Sequence, residues 1–94
     1  MSTRDIISDA EVIKVHGHAN FGSFTPRQVV DFGVLQIAFG YSVGATMAAI
    51  MREHKLAHKH TRHGYRLYLS ERGAKYLRAL VAYEDVRDLA GVVP

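Results

Sequence analysis

Six histidines and a run of cations are the side chains with most chemistry to offer in this chain. His16 and His18, and again His58 and His60, stand two residues apart. On a strand each pair would point to one side, and imidazole nitrogens so spaced can share a zinc or nickel ion. A pair is only part of a structural site, which usually takes four ligands, and with no cysteine present only Asp or Glu could complete it. The plainer reading makes these histidines polar surface positions, able to gain protons below neutrality where phosphates lie beside them. Enzyme chemistry finds little support: there is no cysteine nucleophile, no glycine-rich phosphate loop and no His-Glu-x-x-His, and REHK at 52–55 does not supply it. The expectation is a protein without catalytic activity, without a resident metal and without a cofactor.

The cations are concentrated. Residues 1–51 hold three basic and four acidic side chains, residues 52–78 eight basic and two acidic, and the last sixteen one basic and three acidic. A band of +6, with His54, His58, His60 and His63 among it, thus lies between two mildly acidic ends, although the net charge is only +3. Such a local field favours a polyanion, DNA first and RNA second. The bland alternative is a solvated charged face. Ninety-four residues, 48% apolar and 22% charged, point to one small folded domain over 1–94, with a core at about 8–82 and a tail at 83–94. The first residues lack the apolar run of a signal peptide and nothing approaches the roughly 18 apolar residues that span a bilayer. Together with the lack of cysteine, this leads us to expect a cytoplasmic protein away from membranes.

The elements that would position the cations follow from periodicity. Asp5 to His16 reads as a short helix with Ile6, Ala10 and Ile13 inward, and either Asp5 or Ser8 as its cap. His16 to Ser23 reads as a loop from which Phe21 and Phe24 tuck back onto the core. Thr25-Pro26 starts a helix, since the threonine oxygen accepts a free N–H and proline loses nothing at the first helical position. Its apolar face is Val29, Val30, Gly33, Val34, Ile37 and Ala38. Gly33 costs roughly 1 kcal/mol against alanine in mid-helix, which suggests a close helix crossing or a break there. Gly40 ends the element and Ser42 can cap the next, which runs to about His54 with Val43, Met47, Ile50 and Met51 inward. Lys55-Leu56 closes it. Ala57 to Thr61 and Tyr65 to Leu69 are strand candidates around a turn at Arg62-His63-Gly64. Ser70 caps a last helix that buries Tyr76, Leu77, Leu80, Val81 and Ala74 while Arg72, Lys75 and Arg78 stay wet.

In this order, GSFTPRQVV, SVGATMAAIMREHKLA and YRLYLSERGAKYLRAL resemble the successive segments of a winged helix-turn-helix DNA-binding domain of the MarR, ArsR and PadR type, across about residues 8–82. LSERG, similar to the Leu-Thr-Glu-Arg-Gly junction before the family's last helix, is the most specific match. Two features depart from the family pattern: the turn AFGYS is short, and Ala57 stands where a glycine is usual. The resemblance implies an α+β, mainly α fold of three or four helices with a two-stranded β wing. It also implies that the helix after Ser42 enters the major groove while the wing and helix starts touch phosphates. Carried onto this chain, that directs Ser42, Gly44, Ala45, Thr46, Ala48, Ala49 and Arg52 toward DNA. Of these only Ser42, Thr46 and Arg52 can hydrogen-bond to bases. Lys55, Lys59, Arg62, His63 and Arg66 belong to the wing or its flanks, and Arg27 is placed to meet a phosphate.

The expected function is a sequence-selective double-stranded DNA-binding transcription regulator, a small homodimeric repressor. The alternative keeps the fold as a protein-interaction or oligomerisation module that uses the small-residue face of the second helix without specific DNA readout. Single-stranded or RNA binding would call for exposed aromatics among the cations, and Tyr65 and Tyr68 are the candidates.

Overall fold

The computed structural model describes residues 2–59 and 66–82. Over these the protein is mainly helical with one two-stranded antiparallel sheet. In chain order the elements are α1 (Thr3–Ile6), α2 (Asp9–His16), α3 (Pro26–Ala38), α4 (Ala45–Glu53), β1 (Ala57–Lys59), β2 (Leu67–Leu69) and α5 (Glu71–Ala82). No helix among the described residues is long and apolar enough to cross a membrane.

The expected first helix is two. Ile7 is extended and wholly buried, and Ser8 then caps α2 by accepting from Glu11 N–H at 3.2 Å. The break resets the helical phase, so Val12 is buried and Ile13 is 63% exposed, with Ala10 also at the surface. An inserted core residue therefore outweighs the periodicity of Ile6, Ala10 and Ile13. Phe21 does pack on the core, whereas Phe24 stays half exposed, edge-on to Phe32.

Central to the packing is α3. Thr25 and Gln28 form a reciprocal capping box, with proline at the first helical position. Val29, Val30, Val34 and Ile37 are buried as expected, and Ala38 is exposed. Gly33 marks a close crossing, not a break: a Cβ built there would lie 2.7 Å from Met51 Sδ and 2.8 Å from Met47 Sδ of α4. The C-terminus of α3 is closed by two bonds, Tyr41 N–H to Gln36 O at 2.9 Å and Gly40 N–H to Ile37 O at 3.1 Å, with Gly40 left-handed. This is the Schellman pattern.

Ser42 does not cap α4. The helix starts at Ala45 with Gly44 as its N-cap and no side-chain capping bond. Val43 packs against the core, and the chain stays out of helix across 41–44 before winding. Met47, Ile50 and Met51 are buried. Leu56 N–H bonds to Met51 O and Lys55 N–H to Arg52 O, both at 2.9 Å, so α4 also ends in a Schellman closure. Here the left-handed position is Lys55 (φ 60°), a conformation that costs a residue with Cβ about 1–2 kcal/mol. The apolar residue after it, Leu56, is fully buried.

Strands β1 and β2 pair Ala57 with Leu69, His58 with Tyr68 and Lys59 with Leu67. Leu67 and Leu69 pack on the core. The expected extension of the strands over Thr61 and Tyr65, the turn at Arg62-His63-Gly64 and the tail beyond Tyr83 lie outside the described residues.

The junction LSERG has a physical explanation in the way it fastens α5 to the end of α4. Ser70 N–H donates to Leu56 O at 2.9 Å and its hydroxyl to Lys55 O at 2.6 Å. That same oxygen accepts from Gly73 N–H at 3.0 Å and so caps α5. Arg72 is not a wet side chain: it donates to His54 O at 2.7 Å and Ile6 O at 2.9 Å. At Gly73 a Cβ would fall on the Leu56 carbonyl oxygen, so only glycine allows the approach. On α5, Tyr76, Ala79 and Leu80 are buried while Val81, expected inward, is 61% exposed.

Candidate nucleic-acid interface

With its apolar side locked against α3 by the methionines, α4 leaves the other side uncovered. Ala45, Thr46, Ala49, Arg52 and Glu53 are exposed, Ala48 is half-buried, and Ser42 and Gly44 are exposed just before the helix. The amides at the start of α4 have no side-chain cap, and the first intrahelical bond is Ala48 N–H to Gly44 O. Uncapped amides at the positive end of a helix suit an anion, and the hydroxyls of Ser42 and Thr46 line the same groove.

Two grooves flank this end of α4. One, of about 620 Å³, is lined by Phe21, Phe24 and Phe32 together with Ser42 to Met47. The other, of about 500 Å³, lies between the α3–α4 turn and β2, with Tyr41, Ser42, Ala48 and Arg66 around it. Arg66 is exposed there, and its Nη2 reaches Gly40 O at 3.4 Å. Lys55, Lys59 and Arg52 are exposed at the far end of α4 and on β1. Arg62 and His63 lie outside the described residues. His58 and Tyr68, opposite one another across the sheet, stack with ring centroids 6.4 Å apart.

Arg27, expected at a phosphate, is committed inside the protein. Its side chain is 12% exposed, and it donates to Asp9 Oδ1 through both Nε (3.1 Å) and Nη2 (2.7 Å), to Ile7 O at 2.7 Å and to Tyr76 Oη at 3.2 Å. The Tyr76 hydroxyl in turn donates to buried Asp31 at 2.5 Å. Burial, then the charge of Asp31, push the Tyr76 phenol far above its ordinary value, so it remains a donor. The Arg27 and Arg4 guanidiniums hold the Asp9 carboxyl below its usual range. Arg27 thus joins α2, α3 and α5, and a guanidinium with these partners has little left for a ligand.

The His16/His18 pair does not form the strand geometry that would let it share a metal. His16 ends α2 and leans on Phe21, Gly17 turns the chain, and His18 is exposed beyond it. His60 lies outside the described residues. Among those residues no three His, Asp or Glu side chains gather as a metal site.

Three features were missed from sequence. Phe39 and Tyr41 are 72% and 69% exposed at the α3–α4 turn. Glu53 places an anion on the outward side of α4. His54, counted with the basic band, is fully buried. The heptapeptide IMREHKL carried a signal for the last: with Ile50 and Met51 inward, His54 recurs at the next turn of the same face. No family model, curated protein or solved structure matches the chain.

Proposed function

We propose that this protein is a sequence-selective double-stranded DNA-binding regulator of winged helix-turn-helix design, acting as a small dimeric repressor. The observation that supports it is the uncovered side of α4, with its uncapped start and with Arg52, Lys55, Lys59 and Arg66 exposed around it. In this reading α3 and α4 form the helix-turn-helix and β1–β2 the base of the wing. The side of α4 enters the major groove, Ser42 and the first amides of α4 meet a phosphate, and Thr46 and Arg52 make the polar base contacts. Ala45 and Ala49 offer only apolar contact to thymine methyls. Specificity then rests on few groups and on DNA shape, while affinity comes largely from charge. Arg27 takes no part.

Titration of a labelled duplex at increasing salt tests the reading. Affinity should fall steeply with ionic strength, Arg62→Ala should reduce the log–log slope by about 1, and Arg52→Ala should cost about 1–3 kcal/mol and relax the base preference. Duplex affinity that is undetectable at low salt, or indifferent to salt, refutes it. A two-fold dimer should set the two α4 helices about 34 Å apart, matching successive major grooves.

One observation favours a second reading, a protein-interaction module. Phe39 and Tyr41 expose large rings at the turn between α3 and α4, and aromatics of this kind are enriched at protein interfaces. On that reading Arg52→Ala combined with Arg62→Ala keeps the protein partner, and Phe39→Ser with Tyr41→Ser loses it.

A further inference from the structure

His54 closes α4 with its ring in the core. It has no exposed surface, and neither Nδ1 nor Nε2 finds a hydrogen-bond partner. Its backbone, by contrast, is fully engaged: the N–H donates to Ile50 O at 3.1 Å and the carbonyl accepts from Arg72 at 2.7 Å. The residue is therefore pinned where α4 turns into β1, one position before the left-handed Lys55 and two before the buried Leu56.

A buried imidazole with both nitrogens unpaired can stay only as the neutral ring, because a charge there has neither water nor a hydrogen-bond acceptor to stabilise it. The charged groups that act on it come from every side: Glu11 of α2, Arg72 of α5, Arg27 of α3 and Glu53 of its own helix. The two carboxylates are opposed by the two guanidiniums, Glu11 already facing Arg72 at 3.8 Å, and burial outweighs them. Burial pushes the His54 imidazole below its ordinary value; Glu11 and Glu53 pull it back, and Arg72 and Arg27 push it further down.

We propose that His54 is a pH-sensitive latch: when it takes a proton the ring must leave the core, and the joint that fastens α4 to β1 and α5 opens. In the unfolded chain the histidine binds a proton near pH 6.5 and in the folded chain it does so only at lower pH. The unfolded state therefore holds more protons in that window, and the folded-to-unfolded ratio drops as the pH falls below about 6.5, by at most tenfold per pH unit, until the folded pKa is reached. Above about pH 7 the latch is fully closed. Asp9 cannot produce this loss, because its carboxyl is held below 3.8 and its contribution fades only at more acid pH. The latch does not depend on the DNA-binding reading. Were surface histidines to touch phosphate, acidification would strengthen DNA binding, the opposite direction.

The test is urea denaturation of the whole chain at several pH values between 7.5 and 5, for the wild type, His54→Phe, His54→Leu and the surface control His58→Gln. Wild type and His58→Gln should lose folding equilibrium as the pH falls below about 6.5, by at most tenfold per pH unit, and both His54 variants should lose that slope. A wild type without the slope, or a folded His54 variant that keeps it, overturns the proposal. Should neither variant fold, the ring C–H resonance of His54 in the wild type decides. Neutral until unfolded-state signals appear supports the latch, and titration near pH 6.5 in the intact fold overturns it.

Discussion

Replacing Gly73 by alanine tests the packing of this fold at its tightest point. In an exposed helix interior the change would gain up to about 1 kcal/mol in propensity. Here the new Cβ would fall on the carbonyl oxygen of Leu56, 3.0 Å from its carbon and 3.1 Å from Leu69 Cδ2. The obstructing atoms are backbone, fixed by the Ser70 N–H bond to Leu56 O and the Ser70 hydroxyl bond to Lys55 O. To restore an ordinary carbon–oxygen contact of about 3.3 Å, the start of α5 must retreat by about 1 Å. That movement sacrifices those two bonds, each worth about 1 kcal/mol net, and weakens the charge-assisted bond from Arg72 to His54 O, worth about 1.5–3 kcal/mol. After the helix gain, the net loss is about 3 kcal/mol, a large part of the roughly 5–14 kcal/mol expected for a chain of this length. In urea, with a slope of about 1–3 kcal/mol per molar, the midpoint should drop by about 1–3 M. Gly33→Ala is the matched control. Its Cβ meets Met51 Sδ, Met47 Sδ and Met51 Cε at 2.7–2.9 Å, all at the ends of flexible side chains that can swing away. It should cost no more than about 1 kcal/mol. A Gly73→Ala midpoint at or above wild type, or equal losses in the two variants, refutes the distinction between backbone that cannot yield and methionine that can.

Other perturbations separate the scaffold from the candidate interface. Lys55→Gly relieves the left-handed strain and should raise stability by about 0.5–1 kcal/mol in urea, while weakening duplex binding through the lost charge. Opposite changes of this kind are not expected from a merely solvated lysine. Tyr76→Phe removes the hydroxyl between Arg27 and Asp31 and should cost about 1–3 kcal/mol, with the salt slope of DNA binding unchanged. Arg27→Ala should likewise lower the thermal midpoint and leave that slope intact; a reduced slope would return Arg27 to the interface.

Much of the architecture was legible because it rests on local chemistry. Thr25-Pro26-x-Gln28 is a capping box whatever surrounds it, Val29 to Ile37 repeat at helical spacing, and Ser70 stands where only a cap makes sense. LSERG marks the step from β2 into α5, although the reason for its arginine and glycine lies in contacts with residues 6, 54 and 56. The phase of α2 differs from the one its spacing predicts because Ile7, buried in the core, breaks the helix, and no periodicity within 5–16 reports that tertiary demand. Ser42 is not the cap its position predicts for the same kind of reason: Val43 packs against the core, and α4 starts only at Ala45.

Among the cations, sequence determined how many there are and that they cluster within 52–78; it could not sort them by use. Arg27 and Arg72 look like surface charges, and tertiary structure turns both inward because carbonyls of Ile6, Ile7 and His54 need donors from distant segments. His54 looks like one more member of a basic band, and the fold places it in the core. Local signals act between residues a few positions apart, so they define caps, helices and strands. Whether a polar side chain meets water or another backbone depends on which elements pack together, and that was decided only by the tertiary structure.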